Sequence, residues 1–305
     1  MERILSLLPS TTEIAAALGL AEQLVGRSHE CSVPSAVLRL PVVTAPKLDV
    51  LASSRAIDAR VKELVREGLS VYRVDPELLR ALEPDVILTQ TQCDVCAVTP
   101  RDLEDAACEW LDASPRLVAV EPHGLADVLD DLVRVAEGCG VGERGRRLRE
   151  ERWAHLEEVT ERAARTEARP RVACLEWIDP LMGAGSWIPE LVERASGRPE
   201  LARAEGSAQW TTLAELAATD PDVIVVQPCG FELARTRAEL GPLVGAPGWG
   251  RLRAVREGRV ALADGFLHLN RPGPRIGESL EILAEILHPR ELDFGWRGRA
   301  WEPLA

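Results

Sequence analysis

From residue 143 to about residue 168 the chain runs without a proline or a β-rich segment, and Gly145 is its one glycine. Leu148, Leu156, Val159 and Ala163 recur at helical spacing within a densely charged surround, the pattern of a helix that buries a narrow stripe. A helix of about 26 residues would be roughly 39 Å long at ~1.5 Å per residue. Pro170 stops it. A plain surface helix has the same pattern, but the length and central position of this one favour a rigid connector between two domains.

On either side, short β-branched runs alternate with helical stretches. Strands are expected over 4–8, from 24 to 26, and over 69–73, 85–89 and 117–120, with helices over 10–18, 56–67, 76–82, 100–111 and 125–137. Ser10 or Thr11 is expected to cap the first helix. Beyond Pro170, strands are expected over 171–175, 222–226 and 259–263, and helices over 188–195, 213–218 and 276–287. Apolar strands spaced by helices indicate mostly parallel sheets covered on both faces. The phrase Leu82-Glu83-Pro84-Asp85-Val86-Ile87 returns as Thr219-Asp220-Pro221-Asp222-Val223-Ile224, which indicates similar topology in the two halves. The fold expected is α/β: two Rossmann-like lobes with mostly parallel sheets joined by one long rigid α-helix. Their bounds are 1–140, 141–169 for the helix, and 170–305. A chain of 305 residues suits two cores better than one.

The formal net charge is −13, from 49 acidic and 36 basic residues. Nucleic-acid binding needs a basic face, so that partner class is not expected, nor is an anionic membrane surface. No apolar run approaches the ~20 residues of a membrane span, and no membrane insertion is expected. The first residues read as a buried strand rather than a leader, and the seven cysteines are an odd number that suits reduced thiols. The localisation expected is cytoplasmic, with periplasmic or secreted as the alternative if a signal peptide has been removed, and the state expected is a monomer. Eight Trp against three Phe and one Tyr hint at recognition surfaces. Trp110, Trp153 and Trp301 are expected to be core or surface anchors.

Ligands of open parallel sheets sit at the carboxyl ends of strands. The unusual residues of this chain concentrate there: Ser28-His29-Glu30-Cys31, then Gln90-Thr91-Gln92-Cys93-Asp94-Val95-Cys96, Glu176-Trp177, Gln227-Pro228-Cys229-Gly230-Phe231, and Asp264-Gly265-Phe266 leading to Arg275. A bland loop would hold Gly, Ser, Asn and Asp. Histidine, four cysteines, Trp and Gln at strand ends in both halves point to a ligand cleft.

These phrases, with Leu8-Pro9-Ser10-Thr11-Thr12-Glu13, Val25-Gly26-Arg27-Ser28 and Gly273-Pro274-Arg275-Ile276, resemble the cobalamin-binding family and its siderophore-binding relatives among helical-backbone (class III) solute-binding proteins. The resemblance covers nearly the whole chain. It is strongest to a subgroup of cobalamin-binding proteins without a signal peptide, which carries phrases like Gln92-Cys93-Asp94-Val95-Cys96 and Cys174-Leu175-Glu176-Trp177. The resemblance implies little closure on binding, a corrinoid gripped between the lobes by aromatic rings, and an ABC importer permease as partner. Trp177 and Trp210 match ring positions of the second lobe, whereas Pro46 and Lys47 stand where a first-lobe ring is expected. Docking to the permease is implied through one exposed glutamate on each lobe. Glu77 matches the first position; Ala214 occupies the second, with Glu215 beside it.

His29, Cys31, Cys93 and Cys96 would supply four donors for zinc or iron if their loops meet. A redox dithiol at Cys93 and Cys96 and small inert thiols are the other readings, the inert one being favoured for Cys108, Cys139 and Cys174. No G-x-S-x-G elbow, P-loop or G-x-G-x-x-G is present, and the D-x-H-x-x-G signature of B12-dependent mutases is absent. His155 and His288 are expected to be solvated. The leading function is therefore a carrier that binds a corrinoid such as cobalamin without a reaction of its own. The ligand-contacting residues expected are His29, Glu30, Cys31, Gln90, Gln92, Cys93, Glu176, Trp177, Trp210, Cys229, Phe266 and Arg275. Two alternatives stay open: a metal- or haem-binding protein using the His/Cys cluster, or a thiol-dependent enzyme using the same residues.

Overall fold

The structure, a computed structural model, describes residues 2–67, 71–91, 115–201 and 208–304. The expected helix over 100–111, with Cys108 and Trp110, lies outside them. The chain divides into two compact units. The first holds residues 1–52, 56–122 and 126–151, and the second 53–55, 123–125 and 152–305.

The first unit carries a parallel sheet of β1 (Ile4–Ser6), β2 (Leu24–Arg27), β5 (Val86–Gln90) and β6 (Arg116–Val120), in the order β2-β1-β5-β6. A separate antiparallel ribbon pairs β3 (Thr44–Pro46) with β4 (Tyr72–Val74). Every residue of β5 is buried, as a strand covered on both faces requires. Leu5, Leu7, Val43, Leu79 and Ile87 form a core between the sheet and α3 (Pro76–Leu82). The other helices of this unit are α1 (Pro9–Ala17), α2 (Ser54–Arg66), most of which belongs here, and α4 (Leu125–Gly138).

The expected cap on α1 is corrected. Leu8 is the N-cap and no side chain caps it, because Pro9 takes the first helical position, where its missing N–H costs nothing. Ser10, Thr11 and Thr12 are buried instead, and Thr11 and Thr12 donate their hydroxyls to the Leu8 carbonyl at 3.2 and 3.1 Å.

The long helix is α5 (Gly142–Ala164), 23 residues, and the division between the units falls inside it, after Glu151. Gly145 explains itself there: a Cβ would stand 2.4 Å from the Ala136 methyl of α4, so only glycine permits this close helix contact.

The second unit is built on a mixed sheet. β7 (Arg171–Trp177), β11 (Val223–Val226) and β12 (Val260–Ala263) run parallel, with β9 (Arg198–Glu200) parallel to β7. β8 (Met182–Gly183), β10 (Gln209–Trp210) and β13 (Trp301–Pro303) join antiparallel, giving the order β10-β8-β7-β11-β12-β13 with β9 off this path beside β7. Ala173, Leu175, Ile224, Val226, Trp249 and Leu262 pack in its core. Around it lie α6 (Ile188–Arg194), α7 (Leu213–Thr219), α8 (Leu233–Glu239), α9 (Gly241–Val244), α10 (Arg253–Arg256) and α11 (Ile276–Leu287).

The repeated phrase folds alike in both units. Glu83 and Asp220 close α3 and α7 in the left-handed conformation, at φ 39° and 41°. Asp85 then accepts from the Arg3 backbone N–H at 2.8 Å, and Asp222 from the Arg171 backbone N–H at 2.7 Å. Each aspartate thereby pins a central strand to its neighbour at the entry to the sheet.

Trp301 is buried in the second unit, as expected of a core anchor, while Trp153 is 39% exposed under the Arg194 guanidinium. His288 is not the solvated residue expected, and His155 is solvated only in part, its side chain 34% exposed. His155 Nε2 lies 2.9 Å from Glu281 Oε1. His288 is 2% exposed, with Nε2 2.9 Å from the Ala195 carbonyl. Among the described residues no helix is long and apolar enough to cross a membrane.

Candidate ligand-binding site

In the first unit, β2 delivers His29 to the sheet's carboxyl edge. Its backbone N–H donates to Thr44 Oγ1 at 3.1 Å, and its Nδ1 shares a 2.7 Å hydrogen bond with the same hydroxyl. The ring leans on Tyr72 at 5.5 Å between centroids. Burial, and then the nearby Arg27 charge, push its pKa down to about 4, so the imidazole is neutral at pH 7. Its Nε2 is buried without a hydrogen-bond partner among the described residues. Arg27 donates to the carbonyls of Ser28 and Cys31 at 3.0 and 3.1 Å, which shapes this loop. Glu30 is half-buried and donates its N–H to Ser28 Oγ at 3.2 Å. Cys31 is 1% exposed and its Sγ lies 3.0 Å from Thr12 Oγ1. Gln90 ends β5, buried.

Gln92, Cys93 and Cys96 lie outside the described residues. Among the described residues no group of three or more His, Cys, Asp or Glu is placed to hold a metal. Cys139 and Cys174 behave as inert thiols, burial pushing them up to about 11 and about 12.

The second unit gathers more of the expected residues. Trp177 ends β7; its indole N–H donates to the Ser54 carbonyl at 3.3 Å and its ring lies 5.3 Å from that of Phe231. Ser54 belongs to this unit, where its N–H donates to Glu239 at 3.1 Å and its neighbour Arg55 grips Asp179 with two 2.8 Å bonds. Trp177 is thus a fixed ring, half-buried. Glu176 accepts from the Gly185 N–H at 3.4 Å, and burial pushes its carboxyl up to about 7. A carboxyl titrating there both donates and accepts hydrogen bonds at neutral pH. Cys229 is exposed, and its backbone N–H donates to the Glu176 carbonyl at 3.0 Å.

The remaining residues are more dispersed. Trp210 sits on the edge strand β10, 52% exposed. Phe266 lies 4.7 Å from the Arg271 guanidinium. Arg275 donates to the Leu267 carbonyl at 2.7 Å and to Glu278 at 3.3 Å, a fold-stabilising arrangement. Glu77 is exposed at the start of α3. Glu215 is exposed as well but serves α7 as half of a capping box with Thr212, accepting at 2.8 Å from the Thr212 N–H.

Two residues of the strand-end phrase after β11 were not among the expected ligand contacts. Phe231 is 2% exposed beneath Trp177 and carries the Arg235 guanidinium 3.7 Å from its centroid. Gln227 ends β11 fully buried, and neither side-chain amide atom has a partner among the described residues. The signal available for Gln227 was a polar residue directly after Val223-Ile224-Val225-Val226. Beside it, a Cβ at Gly265 would stand 2.1 Å from the Pro228 carbonyl oxygen, so the loops after β11 and β12 touch only because Gly265 lacks one.

This architecture, with its polar and aromatic residues at strand ends, is that of a two-unit solute-binding protein, and the comparisons agree. The chain belongs to the periplasmic binding protein family, whose model matches residues 4–265. A substrate-binding lipoprotein of an ABC transporter in Bacillus subtilis, YvrC, is 22% identical over 294 residues, covering 94% of this chain and 80% of the relative. A periplasmic haem-binding protein of Pseudomonas aeruginosa superposes with TM-score 0.70 at 22% identity, over 100% of this chain and 95% of that one. The haem-binding RhuT of Roseiflexus gives 0.69 at 22%, over 94% and 98%. The vitamin B12-binding BtuF of Vibrio cholerae gives 0.68 at 20%, over 94% and 97%.

The α/β fold of class III solute-binding proteins is thereby established, and the relatives are binding proteins, not enzymes. The expectation of a cytoplasmic protein is corrected: the family is one of periplasmic binding proteins, and its relatives here are periplasmic proteins or a lipoprotein.

Proposed function

We propose that this substrate-binding protein of an ABC importer takes a corrinoid of the cobalamin type, outside the cytoplasmic membrane, and delivers it to a permease. The observation that carries the reading is the Trp177–Phe231 pair, at the end of β7 and in the loop after β11, with Glu176 next to Trp177. A fixed, half-exposed indole offers a flat apolar face to a macrocycle. A carboxyl poised near pH 7 matches the amides around a corrin ring, which need both donors and acceptors. The name of the Vibrio cholerae neighbour agrees with this ligand class.

A second reading, haem, is favoured by the names of the Pseudomonas and Roseiflexus neighbours and by His29. A neutral imidazole is the form that ligates iron. Calorimetry and visible absorption with cyano-, hydroxo- and adenosylcobalamin, alongside hemin, test both. Saturable heat with a corrinoid that Trp177→Ala weakens more than tenfold supports the first reading. No heat and no spectral change with any corrinoid would overturn it, and a Soret shift lost in His29→Ala would establish the second.

A further inference from the structure

We propose that the first unit carries a cationic pocket that receives acidic oxygen groups, carboxylate or phosphate, of a small-molecule solute. The pocket is an open concavity of about 500 Å³ whose wall includes Lys47, Arg60, Arg73, Asp49, Ala56 and Ile57, the charged residues among them exposed. That volume lies within the range of small-molecule sites. All of these residues belong to the first unit.

The local fold explains why the charges meet. Antiparallel pairing sets Ala45 opposite Arg73 and Pro46 opposite Tyr72, which brings the Arg73 strand beside the loop that begins at Lys47. The Lys47 N–H fixes that junction by donating to the Val71 carbonyl at 2.8 Å. On α2, Ala56, Ile57 and Arg60 share one face, since residues three and four apart are neighbours on a helix. Asp49, the one acid of the wall, accepts from the Leu51 N–H at 2.9 Å, which engages part of its charge in its own turn.

Charge gives the pocket its chemistry. Three cations face one carboxylate in a chain whose formal net charge is −13. Arg60 is shared with Glu63, but Lys47 and Arg73 have no side-chain hydrogen bond or ion pair among the described residues. Two such cations in a concavity attract an anion by charge. An arginine and a lysine together suit planar and point-like oxyanions alike. Pro46 and Lys47, standing where an aromatic ring is expected from the resemblance, line this pocket instead.

The role of the pocket in solute uptake rests on the reading above, whereas its preference for anions does not, and the test separates the two. Pyrophosphate and citrate, titrated by calorimetry into the full chain at low salt, are expected to bind, and to weaken as ionic strength rises and screening shortens. Lys47→Gln and Arg73→Gln should each lower affinity by about fivefold, and the double variant more than tenfold. Arg147→Gln, exposed on α5 and not part of the pocket wall, should leave it unchanged. Melting temperatures verify that each variant is folded.

The source of the acid group is read from matched pairs: cobalamin against cobinamide, which lacks the phosphate, and hemin against its dimethyl ester. Loss confined to the acid-bearing member in the double variant assigns the group to the solute. Loss on free anions alone assigns the pocket to an independent small anion. Equal binding of pyrophosphate and citrate by wild type and double variant, or none by either, overturns the proposal even if Trp177→Ala still weakens corrinoid binding.

Discussion

The ring of Trp177 lies 5.3 Å from that of Phe231, inclined at 59°, and the two residues have different exposures: Trp177 is half-buried and Phe231 is 2% exposed. One presents a surface and the other holds it in place. Trp177→Ala is expected to weaken corrinoid binding more than tenfold, about 2 kcal/mol, with little change in melting temperature. Phe231→Ala is expected to cost about 3 kcal/mol of stability, as a large buried ring does. Calorimetry and thermal melts of both variants check this; equal destabilisation would place Trp177 in the core.

Glu176 makes stability depend on pH. Its carboxyl is pushed up to about 7 by burial, against about 4.3 in an unfolded chain. Between these values the folded state holds a proton that the unfolded state has released, so unfolding free energy falls as pH rises. Stability is expected to decline from about pH 4.5 to pH 7 and to flatten above. Glu176→Gln should make that decline shallower, leaving the part that Asp131, also raised to about 7 by burial, contributes. Chemical denaturation at intervals of pH measures it, and identical slopes in both proteins would refute the assignment.

Glu285 organises the residues after α11. Oε2 accepts from the backbone N–H groups of Phe294 and Trp296 at 3.0 and 3.1 Å. Oε1 accepts from the Arg297 N–H at 2.9 Å and the Trp301 indole at 3.1 Å. Its side chain is 3% exposed. Removing the acceptor strands four donors, and each charged hydrogen bond contributes about 1.5–3 kcal/mol. Glu285→Ala is expected to lower stability by about 3 kcal/mol or more and to open residues 293–301 to protease. Unchanged melting and cleavage would contradict this role.

Glu77 and Glu215, paired by the resemblance as docking residues, differ in what they do for the fold. Glu215 completes the Thr212 capping box, so Glu215→Ala should cost about 1 kcal/mol. Glu77→Ala should leave stability within about 0.5 kcal/mol, as an exposed substitution does. Denaturant melts distinguish them, and import assays on these variants are interpretable only after that correction.

The architecture was legible where periodicity and turn chemistry repeat. The two Pro-Asp phrases foretold Asp85 and Asp222 at matching places, and strand-end residues such as His29, Glu176 and Trp177 were recognisable because they interrupt apolar runs. What escaped has physical reasons. β8 and β10 are two residues long, too short to carry a period. His288 follows an apolar helix and looks solvated, yet tertiary packing buries it against the Ala195 carbonyl. Phe231 sits in a Pro-Cys-Gly-Phe loop, where only contact with Trp177 and Arg235 reveals its use. The cationic pocket is assembled from a ribbon and a helix face far apart in sequence, which no local pattern encodes.

The edges of the second unit's sheet bear on solubility. An open strand edge invites another chain to add on, and natural sheets blunt such edges. Here the outer strands β9, β10 and β13 have three, two and three residues; β9 contains Pro199 and β13 ends in Pro303, and a proline has no N–H to offer. Beneath β13 lies β12, Val260–Ala263, apolar and buried throughout. Loss of β13 would bare a template for self-association, so this short terminal strand guards the protein against aggregation as well as completing its fold.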